Sequence, residues 1–198
     1  MSSLGHVLDR TFGRPRGRLG RLGGAVMARG NAATERHVVA VAKPDADETV
    51  LVVGPGPGVG LAAAADRAAS VIGLDPSPDM LAACARRCAE SVEAGTVALR
   101  EGTATDTGLP DACVSVVLSV NTLQLWEDRP AALAELHRVL RPGGRLVLSA
   151  HERWLPVARH DLAREVAAAG FTDTQTWVWD PPGPIASRAA QLRTYRPR

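Results

Sequence analysis

The stretch Thr49-Val-Leu-Val-Val-Gly-Pro-Gly-Pro-Gly-Val-Gly60 constrains this chain more than any other. An apolar run enters a glycine loop and a helix-forming segment leaves it. A second apolar run, Val71-Ile-Gly-Leu-Asp75, then ends in a single acid. In an open α/β sheet this order builds a nucleotide site at the carboxyl ends of adjacent parallel strands. Glycine lets the backbone approach a ligand because no Cβ intervenes and a positive φ costs little. Asp75 stands 75 − 54 = 21 positions beyond Gly54, about where an acid meets ribose hydroxyls. The arrangement implies an adenosine-type cofactor.

The dinucleotide fingerprint G-x-G-x-x-G would need its third glycine at Val59, so the strict pattern fails. The spacing present is G-x-G-x-G, at Gly54, Gly56 and Gly58. Three further segments follow: Gly73-Leu-Asp-Pro-Ser-Pro-Asp-Met-Leu81, Leu109-Pro-Asp-Ala-Cys-Val-Ser-Val-Val117 and Ala132-Leu-Ala-Glu-Leu-His-Arg-Val-Leu-Arg-Pro-Gly-Gly-Arg-Leu-Val-Leu148. In order and spacing the four resemble the motifs of class I S-adenosylmethionine (SAM) dependent methyltransferases. They are most similar to the type 11-like branch, which includes small-molecule and quinone-ring enzymes. The resemblance covers roughly residues 31 to 170.

That resemblance implies an α/β fold, a Rossmann-like doubly wound sheet of seven strands with the last antiparallel and helices on both faces. It implies SAM as cofactor and an in-line displacement that moves its methyl group to a small organic acceptor. Asp75 would hold the ribose, while Gly54, Pro55, Gly56 and Gly58 leave room for the methionine part. Pro76 follows the acid, and Met80 would pack on the adenine face. Thr103 and Ala104 match the pair at the adenine edge, and Ser119 and Asn121 lie near the amino acid end. The sequence departs from the family in three places. Val52 replaces the usual acid two residues before the first glycine, Thr103 replaces an Asp, and Val114-Ser115 replaces a Phe-Asp pair. These departures motivate an alternative, a non-catalytic SAM-fold binding or regulatory protein. A nicotinamide-dependent oxidoreductase is disfavoured by Val59 and by the lack of a Tyr-x-x-x-Lys pair.

On the acceptor side, His151 follows the fifth strand and reads either as a general base or as a solvated strand-end histidine. Gln124 and Trp126 follow the fourth strand and would line an acceptor pocket, or Trp126 simply packs on the next helix. Trp177 and Trp179 share one face of a strand, for core packing first and a flat acceptor second. His37 and His137 read as structural. No Asn-Pro-Pro-Tyr or Asp-Pro-Pro-Tyr follows the fourth strand, which disfavours nucleic acid methylation.

The chain has 198 residues, 45% hydrophobic and 22% charged, with a formal net charge of +2. One domain with a real core is expected, without a global field that implies a nucleic acid partner. Residues 1–30 carry Arg10, Arg14, Arg16, Arg18, Arg21 and Arg29 among glycines, and read as a loosely ordered basic arm before a methyltransferase domain over 31–198. The arm would cover the cofactor or meet an anionic partner; with only Phe12 it lacks the aromatics of a single-strand binder. No apolar run reaches transmembrane length, so a cytoplasmic location is the expectation. Oligomeric state is left open. Cys84 and Cys88 fit core packing better than metal, since no ligand set completes them.

Hydrophobic periodicity places helices from Asn31 to before Pro44, over Gly58–Ala69, and after Ser77 with Leu81, Ala85, Cys88 and Val92 on one face. Further helices run from Asp128 to Pro142-Gly-Gly144 and from about Val157 to Ala169. Strands are expected over Thr49–Val53, Val71–Leu74, Thr96–Arg100, Val114–Val120, Arg145–Ala150, Thr174–Trp179 and Arg188–Tyr195, with a loop at Pro181–Pro184.

Overall fold

A computed structural model describes residues 31–182 and 187–198. The basic arm expected over residues 1–30, the boundary drawn at its end, and part of the loop at Pro181–Pro184 lie outside the described residues. A helix over residues 31–42 (α1) leads into β1 (Thr49–Val53), α2 (Val59–Ala65), β2 (Ser70–Asp75), α3 (Pro78–Arg87), α4 (Ala89–Glu93) and β3 (Val97–Glu101). Then follow β4 (Val114–Val120), α5 (Arg129–Val139), β5 (Leu140–His151), α6 (Arg159–Ala168), β6 (Thr172–Trp179) and β7 (Ala189–Tyr195).

The seven strands form one sheet in the order β3-β2-β1-β4-β5-β7-β6. β1 to β5 pair in parallel, and β7 runs antiparallel to both β5 and β6. The seven-stranded, Rossmann-like expectation therefore holds. The four residues Val50 to Val53 are all buried because the sheet is covered on both faces. Leu51 and Val53 join one core cluster with Leu133, Leu136, Leu162 and Val166 from α5 and α6. Val50 and Val52 join another with Val38, Val39, Leu61 and Cys84 from α1, α2 and α3. Alternation along a single strand thus feeds both layers. Among the described residues no helix is long and apolar enough to cross a membrane.

Two helices differ from expectation in ways that bear on the site. After Ser77, the buried positions are Cys84 and Cys88, whereas Leu81 and Ala85 are half-buried and Val92 is exposed. The helix breaks at Cys88 into α3 and α4, so a single continuous stripe never forms. The helix before Pro142 ends earlier, at Val139, and β5 begins at Leu140. Pro142 pushes Arg141 toward extended backbone. Val114 pairs with Leu140 and Val116 with Arg145, so the residues between bulge out of the ladder. Gly144 is pressed against the Ser115 and Arg141 carbonyls there, where a Cβ would not fit.

Candidate functional site

The strand order reverses between β1 and β4, and the crevice at their carboxyl ends is where an open α/β sheet binds ligands. The glycine loop lies across it. Gly54, Gly56 and Gly58 have φ of +65°, +52° and +88°, a region closed to most side chains. Each glycine meets a different neighbour. Gly54 presses on the Thr122 methyl group, and Gly58 packs on Cys84, while a Cβ on Gly56 would find no atom of the described residues within 4 Å. The bend is therefore packed at both ends and open in the middle.

Helices on either side hold that shape. The Cys84 thiol donates to the Gly56 carbonyl at 3.0 Å, and Arg87 Nε donates to the Pro57 carbonyl at 2.8 Å. From α1, Glu35 Oε2 accepts from the Gly60 N–H at 2.6 Å. The core-packing reading of Cys84 and Cys88 stands with this addition, since both are buried. Burial pushes the Cys84 thiol up to about 12 and Cys88 upward too, so neither is a nucleophile. No group of three or more metal-ligating side chains occurs among the described residues.

Asp75 ends β2 at the same edge. It is buried, its Oδ1 accepts from the Ser77 N–H at 2.9 Å, and desolvation pushes its carboxyl up to about 6 against that hydrogen bond. Ser77 caps α3 by accepting from Met80 N, with Pro78 in the first turn. Pro76 is exposed and Met80 half-buried beside that turn. Thr103 is exposed, and its hydroxyl accepts from the Asp106 N–H at 3.1 Å in a local turn. Ala104 is buried in the core.

At the ends of β4 and β5 three buried polar atoms have no hydrogen-bond partner among the described residues: Asn121 Nδ2, Gln124 Oε1 and His151 Nδ1. Asn121 itself is tightly fixed at φ +57°. Its N–H donates to the Ser149 carbonyl at 2.7 Å, its Oδ1 accepts from His151 N at 2.9 Å, and its carbonyl accepts from Gln124 Nε2 at 2.7 Å. Ser119, buried at the end of β4, hydrogen-bonds Thr122, whose methyl group presses on Gly54. Burial lowers the pKa of the His151 ring, partly offset by the nearby Ser187 backbone. Trp154 meets the same ring edge-on at 5.1 Å and is itself exposed.

Trp126 packs against the core. His37 stacks on Trp179 at 4.0 Å, and His137 meets Phe171 edge-on at 5.0 Å, so both histidines pack structurally. Sequence reasoning missed Glu35, Thr122 and Trp154. Glu35 carried one signal: an acid three and four positions before Val38 and Val39 lies on the buried face of its helix.

A glycine bend open at its centre, an acid closing the next strand and unpaired polar groups across the switch point mark a nucleotide-type ligand crevice in an open α/β sheet. Comparison with known proteins agrees. The family described as "Methyltransferase domain" matches residues 51–148. The chain is 34% identical over 117 residues to nocamycin O-methyltransferase of Saccharothrix syringae, spanning 58% of this chain and 41% of that protein. It is 28% identical over 161 residues to the uncharacterized methyltransferase YdaC of Bacillus subtilis, spanning 77% of this chain and 87% of that one. A SAM dependent methyltransferase from Aquifex aeolicus superposes with a TM-score of 0.70 at 16% identity, over 85% of this chain and 92% of that one. Residues 51–148 thus carry a methyltransferase domain, on a fold shared with a SAM dependent methyltransferase. Its residues fit the family's cofactor: Gly56 is open, Asp75 offers a desolvated carboxylate, and Asn121 Nδ2 is a buried donor awaiting an acceptor.

Proposed function

We propose that this protein transfers a methyl group from SAM to the hydroxyl or amine of a small organic acceptor. Bound SAM supplies a methyl group already activated on a sulfonium. The protein's work is then to bind, align and exclude water, and alignment of this kind lowers barriers by roughly 7–11 kcal/mol. Asp75 would accept hydrogen bonds from ribose hydroxyls, each worth about 1.5–3 kcal/mol to a charged partner. Gly54, Pro55, Gly56 and Gly58 would pass beside the amino acid tail. Pro76, Met80, Thr103 and Ala104 flank the adenine side; Ser119 and Asn121 flank the other end. Because the Thr103 hydroxyl already serves its own turn, adenine recognition would lean on shape and backbone rather than on that side chain.

The observation that carries the reading is the unpaired set Asn121 Nδ2, Gln124 Oε1 and His151 Nδ1 across the crevice from Asp75. His151 Nδ1 would take the acceptor's proton as its oxygen or nitrogen attacks, while Gln124 orients the nucleophile. Neutral histidine is the form a base needs, and burial favours that form. Exposed Leu125 and Trp154, which follow β4 and β5, give the mouth an apolar rim. Only residues 152–158 link β5 to α6, which favours a small acceptor over a large capped one.

Calorimetry with SAM and S-adenosylhomocysteine, followed by methyl transfer from labelled SAM across phenolic, carboxylic and amine acceptors, tests this. Micromolar binding that weakens about tenfold to a hundredfold in Asp75→Asn is the expected result. Failure of both ligands to bind would refute the assignment, and tight binding with no turnover would favour a binding or regulatory protein.

A further inference from the structure

The crevice beside the glycine loop contains a carboxylate that forms no ion pair among the described residues. Glu35 lines that crevice together with Val52, Gly54, Pro55, Gly60 and Leu118, and is the one ionisable residue among the described residues that line it. Its Oε2 is committed to the Gly60 N–H, and Glu35 takes part in none of the ion pairs among the described residues. The charged groups acting on it are Arg87 from α3 and Arg36 from its own helix, both exposed at the surface. Asp75 and Glu35 both bear on Cys84, one from each flank of the loop. A buried carboxylate without a counter-charge is costly to ionise, and burial pushes Glu35 up to about 7.

The location narrows what could answer that charge. The lining comes from β1 and β4, the two strands that diverge at the switch point, with α1 as its roof. Asp75 sits one strand away on β2. A ligand whose ribose lies at Asp75 and whose tail crosses the open bend at Gly56 delivers that tail into the β1–β4 crevice. Val52, the β1 side chain that faces the crevice, is apolar and cannot meet a cation.

We propose that Glu35 pairs with the α-ammonium of bound SAM, so that the helix ahead of the sheet supplies the charge that β1 lacks. The inference rests on the SAM reading above. Glu35 then has two tasks, one oxygen bracing the loop through Gly60 and the carboxylate as a whole attracting the ligand's cation. It is a binding and positioning residue and takes no part in the chemical step.

The test compares wild type with Glu35→Gln, which keeps an acceptor for the Gly60 N–H but removes the charge. Calorimetry uses SAM, S-adenosylhomocysteine and 5′-methylthioadenosine, which lacks the amino acid tail. At about pH 8, SAM and S-adenosylhomocysteine should weaken about tenfold to a hundredfold in the variant. 5′-Methylthioadenosine should bind both proteins equally, which also reports an intact crevice. The wild-type advantage should shrink toward one as the pH falls below about 7 and Glu35 protonates. Asp75 also titrates in this range, but it is present in both proteins and cancels in the ratio. Equal weakening of all three ligands, or no weakening, overturns the proposal. A loss confined to SAM would place Glu35 at the sulfonium and overturn the ammonium assignment. Wild-type protein that binds none of the three refutes the SAM reading itself, whereas wild type that binds and a variant that matches it refute this inference alone.

Discussion

At the scale of single residues, the glycine loop separates space from strain. Gly54 and Gly56 both sit at positive φ, but of the two only Gly54 has a neighbour among the described residues where a Cβ would go. Gly54→Ala should destabilise strongly or fail to fold, because the Thr122 side chain must move. Gly56→Ala should lose only about 1 kcal/mol of stability from its left-handed backbone, yet lose SAM affinity because its methyl group enters the crevice. Thermal melts and cofactor titration of the two variants check this; equal melting temperatures would contradict it. His151 makes a second residue-scale prediction. Burial lowers its pKa below the usual 6.5, so at saturating SAM methyl transfer should fall as pH drops through that lowered value and level off above it. His151→Gln should cut turnover by about 10²–10⁴ and flatten that limb, with SAM affinity little changed. A histidine that only packs on Trp154 would leave the pH profile of the residual activity unaltered.

Among the elements, caps and short networks decide where helices start and how they seat on the sheet. Asp128 caps α5 by accepting from Ala131 N at 2.9 Å, so Asp128→Ala should cost about 1 kcal/mol. Denaturant midpoints at constant slope would measure it. α5 also carries Glu135, which accepts from the Thr107 N–H and hydroxyl and is paired with Arg138. These partners hold its carboxyl down at about 2. Because that folded value lies below the unfolded one of 4.5, its stabilisation is present above pH 4.5 and is lost as pH falls toward 2. Glu135→Gln should therefore lower the melting temperature at neutral pH and approach wild type in strong acid. Element positions were legible wherever local signals were strong. β1 and β4 match their expected spans, and the helices expected after Ser77 and from Asp128 start there, each capped by that residue. The end of α5 was not legible, because the pairing of β5 with β4 starts before the proline and draws Leu140 into the strand.

For the whole molecule, the crevice places two carboxylates where water is excluded, and this ties stability to pH and to ligand. Glu35 is raised from 4.5 to about 7 and Asp75 from 3.8 to about 6. Both folded values exceed the unfolded ones, so the folded protein holds more protons between them. Their contribution is full below about pH 4 and is lost as pH rises through 6 and 7. The ligand-free protein should melt at lower temperature at about pH 8 than at about pH 5, after correction for other groups. Glu35→Gln should reduce that difference, as calorimetric scans at several pH values would reveal. Saturating SAM should stabilise wild type more at the higher pH, since bound ligand favours the ionised carboxylates.

The sequence alone determined the order of elements, the glycine bend and the acid 21 positions after Gly54. Those depend on local chemistry: apolar runs buried on both faces, caps at helix starts and glycine where φ turns positive. Tertiary structure alone decided which distant residues meet at the bend. Glu35 reaches Gly60 across 25 positions, and Asn121 reaches His151 across 30. Such pairings follow from the side of the sheet on which a helix packs and from which strands end together, and no spacing within one segment encodes either.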